Sequence, residues 1–152
     1  AALHDPRVLV EASVNNAREI EIGVITSADG RSIASVPAEV IVRSGHEFYD
    51  FEAKYLDDAV DLVVPANLSA ATTEQLQGIA CEVFDLLGCE GLARVDFFIA
   101  ADGSILVNEV NTMPGFTSMS LFPRMWAASG MDYPVLVDHL VRDALRRGTG
   151  LR

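Results

Sequence analysis

Cysteine, positive charge and long apolar runs are all scarce in this sequence, and each scarcity removes a class of function. Of 152 residues only two are cysteines, Cys81 and Cys89. Their spacing fits neither a zinc knuckle nor a Cys-x-x-Cys redox pair. We expect two half-buried free thiols near one helix, which suits a reducing cytoplasm. Lysine and arginine total 11 against 22 aspartates and glutamates, a formal net charge of −11. A chain this acidic repels phosphate backbones, so no nucleic-acid partner is expected. One bound nucleotide stays compatible with that charge, because Mg²⁺ bridges carboxylates and phosphates. No apolar stretch reaches spanning length and no signal peptide is visible, so we expect a soluble intracellular protein with no membrane partner. An initiator methionine is also missing: Ala1-Ala2-Leu3-His4-Asp5 runs straight into a strand-like pattern, and the expectation is a fragment of a longer chain.

Half of the residues are hydrophobic, and a compact chain of this length buries roughly 70% of its unfolded surface, so one packed domain is expected. Arg7 to Val14 is Val-rich and reads as a strand. Asn15-Asn16 offers a turn, after which Glu19 to Thr26 (EIEIGVIT) reads as a second strand paired with the first in a hairpin. Asp29-Gly30 marks another turn, and Ile33 to Val42 a third strand bent at Pro37. Ser44 to Ala59 mixes aromatics and charges without period, the pattern of a functional or disordered loop. A short strand over Asp61 to Pro65 follows. Ser69 to Leu87 is the clearest helix, with Ser and Thr available as N-caps and Gly88 as its stop. Strands are expected over Arg94 to Ala100 and Ile105 to Asn111, then an irregular loop to Ser120. A short helix should span Leu121 to Ser129, and a last one should start near Asp132 with Pro134 in its first turn. The fold class is therefore α+β, an antiparallel sheet with helices packed on one face.

The segment RVDFFIAADGSILVNEVN carries the most chemistry. Asp102-Gly103 is a strong two-residue hairpin turn. If Ala101 faces Ser104 across it, Asp96 faces Glu109 and Arg94 faces Asn111, and all four point to one side of the sheet. Two carboxylates placed opposite each other destabilise a strand pair unless something cationic lies between them. A divalent ion would do this: the donors are hard oxygens, two carboxylates and an amide, which suit Mg²⁺ and, with no His or Cys in the set, not zinc. The same square also reads as a solvated polar face in which Arg94 relieves the acids. The loop Asn111 to Ser120 is rich in hydroxyls and leads into a helix N-terminus. It reads either as an anion cradle or as ordinary capping by Ser118 or Ser120.

GLARVDFFIAADGSILVNEVNTMPGFTSMSLFPRMWAASG resembles the C-terminal segment of D-alanine–D-alanine ligases, members of the ATP-grasp superfamily. The likeness runs from VLVE to the last helix. Its specificity lies in the Arg-x-Asp, Asn-Glu-x-Asn and Pro-Gly-Phe-Thr-Ser elements taken together. The resemblance implies an ATP-grasp C-terminal domain, with the N-terminal and most of the central domain outside this chain. It implies Asp96, Glu109 and Asn111 as Mg²⁺ ligands, with two ions, Mn²⁺ as a substitute, and Glu109 bridging. Arg94 is implied to stabilise an acyl-phosphate and the tetrahedral state after it, and the Gly115 backbone to lie near the oxyanion. Ser120 and the Leu121 backbone are implied to hold the carboxylate of a second D-alanine. Glu11 and Val14 match the strand that meets adenine, and Glu19 the acid that contacts the ribose. In the long loop, Lys54 resembles a phosphate contact and Tyr55 the residue that seals the loop over the first substrate, excluding water from a hydrolysable intermediate.

The implied reaction joins two D-alanines with ATP as co-substrate, through an acyl-phosphate, for peptidoglycan in the bacterial cytoplasm. The full-length enzyme is implied to be a homodimer, and the missing N-terminal half of the same enzyme to complete the site. Two other readings are a D-alanine–D-lactate-type ligase and a non-catalytic nucleotide-binding fragment. The Lys54-Tyr55 pair resembles the dipeptide enzymes, whereas the depsipeptide relatives carry His in that position. D-lactate is accordingly expected not to compete with D-alanine as second substrate near neutral pH, which chromatography of the products would check; efficient depsipeptide formation would contradict it.

Overall fold

The computed structural model describes residues 7–42 and 60–147. The strands are β1 (Arg18–Thr26), β2 (Ser32–Ala34), β3 (Ala38–Val42), β4 (Val60–Val63), β5 (Leu92–Ile99) and β6 (Ile105–Asn111). The helices are α1 (Ala70–Leu86), α2 (Leu121–Ala128) and α3 (Tyr133–Arg147). The sheet runs β4-β3-β1-β5-β6, with β2 also paired to β1, and the pairings are antiparallel. β2 and β3 share one edge of β1 and are separated at Ser35-Val36-Pro37, where the expected bend falls. None of the described helices is long and apolar enough to cross a membrane.

The two faces of β1 follow from its alternation. Ile20, Ile22 and Val24 point to one side, where they join Ala93, Val95 and Phe97 of β5 and Leu76, Ala80 and Phe84 of α1 in a buried cluster. Ser69 caps α1 by accepting the Thr72 N–H at 3.1 Å, as its position in the sequence suggested. The other side carries Glu19, Glu21, Gly23 and Ile25. Its apolar end, Ile25 with Ala38, packs under Phe122, Met125 and Trp126 of α2 and Leu136 of α3. The α+β class and the antiparallel sheet are as expected. The helices divide between the faces, α1 on one and α2 with α3 on the other, because both parities of β1 carry apolar residues.

The expected strand over Arg7 to Val14 does not form: residues 7–15 have no strand structure. Leu9 and Val10 are 80% and 89% exposed. The physical reason lies in the sheet. β1, the intended partner, already has β5 on one edge and β2 and β3 on the other, so no edge is left for a hairpin. Glu11 and Val14, expected on an adenine-facing strand, therefore stand on irregular backbone. The turn before β1 is as expected, with Asn16 at φ 56°.

The C-terminal helix is tied down by charge as well as by Leu136. The Asp143 side chain is buried and accepts from Arg146 at 2.6 Å and Arg147 at 2.8 Å. Arg146 also donates to the carbonyls of Ser27 and Ala28, and Arg147 to Glu90. One buried acid thereby fastens α3 to the turn after β1 and the loop before β5. Both cysteines are half-buried and free, and burial raises their thiol pKa values.

α2 sits directly on β1 at Gly23. A Cβ there would lie 2.8 Å from Trp126 Nε1 and 3.0 Å from a Phe122 ring carbon. Two rigid aromatic rings cannot yield to it without moving the helix. Gly23→Val is expected to destabilise the fold by about 1–3 kcal/mol, the usual range for overpacking. Chemical denaturation followed by the fluorescence of Trp126, the single tryptophan of the chain, reads this contact directly; an unchanged midpoint would contradict it.

Candidate functional site

The hairpin of β5 and β6 places Arg94 opposite Asn111 and Asp96 opposite Glu109, the square expected from the sequence. The route to it differs from expectation. The turn is one residue longer, with Ala100 and Ser104 closing it and Gly103 at φ 84°. Ile99 therefore pairs with Ile105, Phe98 with Leu106 and Phe97 with Val107. A bulge then inserts Asn108 as an extra residue, and from Asp96 onward the register returns to the expected one. The two displacements cancel. A bulge of this kind re-aims the side chains beside it, and here it keeps Glu109 on the face of Asp96.

β1 adds a third column. Glu21 pairs with Asp96, and Gly23 with Arg94, so Glu21, Asp96 and Glu109 form one row across three strands. Arg94 lies among them. Its Nε and Nη2 donate to the two oxygens of Asp96 at 2.7 Å each, and its Nε lies 3.0 Å from Glu21 Oε2. The side chains of Arg94, Glu21 and Asp96 are only 10%, 12% and 13% exposed. Burial on its own would lower the Arg94 pKa. The hydrogen bond to Asp96 and the charges of Glu21, Asp96 and Glu109 outweigh it and hold the guanidinium above its ordinary value. Against these three carboxylates stands one guanidinium, so the four groups together carry a formal −2. Glu19 and Phe98 extend the same cleft along the strands.

The donor set fits a hard divalent cation. Asp96 and Glu109 face each other, Glu109 is exposed, and the surplus charge is the size of one divalent ion. Among the described residues no group of three or more His, Cys, Asp or Glu forms a ready-made metal cage. Asp96 is turned onto Arg94. Mg²⁺ does not need such a cage, since it commonly takes one or two carboxylates and completes its shell with water and substrate phosphates. Asn111 Oδ1 accepts the Met113 N–H at 3.0 Å, starting the loop that follows.

That loop is pinned at both ends. Phe116 lies 5.7 Å from the rings of both Phe122 and Tyr133, and its carbonyl accepts the Tyr133 hydroxyl at 3.0 Å. Ser120 is the N-cap residue of α2, yet its hydroxyl makes no capping bond. It turns back to Thr117, accepting the Thr117 N–H at 3.0 Å and lying 2.9 Å from Thr117 Oγ1. Gly115 lies against it, where a Cβ would come 3.2 Å from Ser120 Oγ. Gly115, Ser120 and the Leu121 backbone are thus brought together at the start of α2.

Of the other expected site residues, Glu19 lies in the cleft, Glu11 and Val14 stand on the irregular segment before β1, and Lys54 and Tyr55 lie outside the described residues. Glu21 is not legible in the sequence as part of this row. The Glu-Ile-Glu-Ile alternation does put it on the face of Glu19, but nothing local reveals that β5 pairs with β1 in this register.

The profile of the family described as "D-ala D-ala ligase C-terminus" matches residues 1–142. The D-alanine–D-alanine ligase of Frankia casuarinae is 58% identical over 153 aligned residues, covering 100% of this chain and 40% of its own length. Among solved structures, the D-alanine-D-alanine ligase from Coxiella burnetii is similar with a TM-score of 0.74 and 38% identity, over 90% of this chain and 34% of that one. The VanG D-Ala:D-Ser ligase from Enterococcus faecalis is similar with a TM-score of 0.71 and 33% identity, over 84% of this chain and 36% of that one. The chain spans about 40% of the length of the curated relatives it matches.

Removing the guanidinium would leave Glu21 and Asp96 as buried acids without their counter-charge. Arg94→Met is expected to cost about 3–5 kcal/mol, as for breaking a buried ion pair from one side, and Mg²⁺ should restore part of the loss. Thermal melts with and without Mg²⁺ check both points; a variant as stable as the parent would show that Arg94 does not neutralise this face.

Proposed function

The chain belongs to the D-ala D-ala ligase C-terminus family, and from that premise we propose that it carries the metal- and phosphate-handling half of a site that joins two D-alanines with ATP. The observation that carries this reading is the β5–β6 register, which sets Arg94, Asp96, Glu109 and Asn111 on one face, with Arg94 paired to Gly23, the residue on which Phe122 of α2 packs.

In this reading one D-alanine carboxylate attacks the γ-phosphate of ATP, forming an acyl-phosphate and releasing ADP. The amine of a second D-alanine then attacks the acyl carbon, phosphate leaves, and the dipeptide remains. Asp96, Glu109 and Asn111 would hold Mg²⁺, two ions by family likeness, with Mn²⁺ as a substitute. The metal would supply charge neutralisation at the phosphates. Arg94 places a fixed positive charge where the acyl-phosphate and the tetrahedral oxyanion gather negative charge. Because Arg94 is largely shielded from water, its charge acts through a lower effective dielectric than bulk solvent offers.

Ser120 and the Leu121 N–H would receive the carboxylate of the second D-alanine. The hydroxyl is already withheld from capping, and a helix N-terminus favours an anion. The Gly115 backbone borders this position, Glu19 would meet the ribose, and Lys54 and Tyr55 would contact phosphate and close over the first substrate. The product would serve peptidoglycan synthesis in the bacterial cytoplasm. The ligase containing this chain would act as a homodimer.

The chain covers 40% of its Frankia relative, so we propose that the remainder of the site is supplied by sequence outside it. The test is phosphate release from Mg²⁺-ATP. No D-alanine-dependent release is expected from the 152-residue chain alone, and D-alanine-dependent release is expected once the rest of the ligase is supplied. Release by the chain alone would overturn the half-site reading. Release indifferent to D-alanine in the complete enzyme would overturn the ligase reading.

A further inference from the structure

Arg94 has two carboxylate partners, and they are not equivalent. Asp96 faces Glu109 across one pair of strands, whereas Glu21 lies on β1, one strand further from Glu109. Adjacent strands are about 4.8 Å apart and Mg²⁺ holds its ligands at about 2.1 Å. A cation held by Glu109 would therefore recruit Asp96 and leave Glu21. Asp96 now gives both oxygens to Arg94, so the same carboxylate is claimed by the guanidinium and by the cation. Glu21 Oε2 is sealed from solvent and lies 3.0 Å from Arg94 Nε in an ion pair, while the single Nε–H is donated to Asp96 Oδ1.

We propose that Glu21 is the positioning residue of this site: it holds Arg94 in place when Asp96 turns to a divalent cation. The cation part rests on the reading of Asp96 as a metal ligand; the anchoring part rests on the ion-pair geometry alone. A guanidinium held only by Asp96 would be released as the metal arrives, at the moment its charge is needed. A second, buried carboxylate that the metal does not recruit removes that conflict. Glu21 touches no reacting atom in this scheme and acts only through Arg94.

The experiment follows the Nε–H resonance of Arg94 and its exchange with solvent in the 152-residue chain, in the parent, Glu21→Gln, Asp96→Asn and the double variant. The amides are close in shape to the acids they replace, and the Trp126 melt monitors the fold. Without metal, Arg94 is expected to stay protected in the parent and in each single variant. Exchange in the double variant should be about tenfold faster or more, as the loss of both the Asp96 hydrogen bonds and the Glu21 counter-charge implies. With Mg²⁺ alone as the probe, the parent should keep its protection and Glu21→Gln should lose it.

Equal exchange in Asp96→Asn and the double variant would overturn the proposal. So would full protection of Arg94 in Glu21→Gln while Mg²⁺ shifts the Asp96 and Glu109 amide signals. If Mg²⁺ shifts neither amide, the coupling to a cation and the metal reading of Asp96 both fall, while the metal-free comparison still decides whether Glu21 anchors Arg94.

Discussion

Glu21, Asp96 and Glu109 lie in one row across three hydrogen-bonded strands, and like charges at strand spacing repel. Arg94 makes the row tolerable. It rises from the same strand as Asp96, two residues away and so on the same face, and it is braced from β1 by Glu21. The position of Arg94 depends on Ala93 and Val95, which flank it in β5 and point the other way into the α1 cluster. Moving β5 by one residue would put a guanidinium into that core and Val95 into the cleft. The hydrophobic face thus fixes the register, and the register fixes the charges.

The division of labour between helices follows from the same sheet. α1 covers the face of Ile20, Ile22 and Val24 and makes it a core. α2 covers only the far end of the opposite face, where Gly23 lets it come close and Ile25 meets Phe122, Met125 and Trp126. The row of acids lies in the middle of that face. α2 is seated at Gly23, the residue of β1 that pairs with Arg94, so Phe122 in its first turn packs at the end of the row. One strand therefore supports a core on one side and, on the other, both a helix seat and a polar cleft.

Local signals in the sequence were sufficient where they reported local physics. Ser69 before a helical period, Gly88 after it, and Pro134 in the first turn of α3 mark their helices to within a residue or two. Signals that depend on pairing were less legible. The Val-rich Arg7 to Val14 has a strand's composition and no strand, because the edges of β1 are taken by segments further along the chain. A two-residue turn predicts the Asp96–Glu109 pairing; the turn is one residue longer, and the Asn108 bulge restores the register. Neither the longer turn nor the bulge has a local mark in the sequence beyond the glycine at Gly103. Glu21 is illegible for a related reason: its parity is local information, but its distance from Arg94 is a property of the sheet.

Charge balance bears on the proposed nucleotide reading. A nucleotide triphosphate brings several negative charges to a cleft that already carries a formal −2 from Glu21, Asp96, Glu109 and Arg94. Divalent ions can offset part of that, but positioning a phosphate tail also takes fixed cations and backbone N–H groups. Much of the basic complement described here is already engaged in holding the fold. Arg18 is held by Glu39 through two bonds of 2.7 Å, and Arg146 and Arg147 are held by Asp143. Redirecting any of them would uncover a buried or half-buried acid, at a cost comparable to what the new contact gains. The proposed nucleotide reading therefore calls for positive charge other than Arg18, Arg94, Arg146 and Arg147, each already committed to an acid.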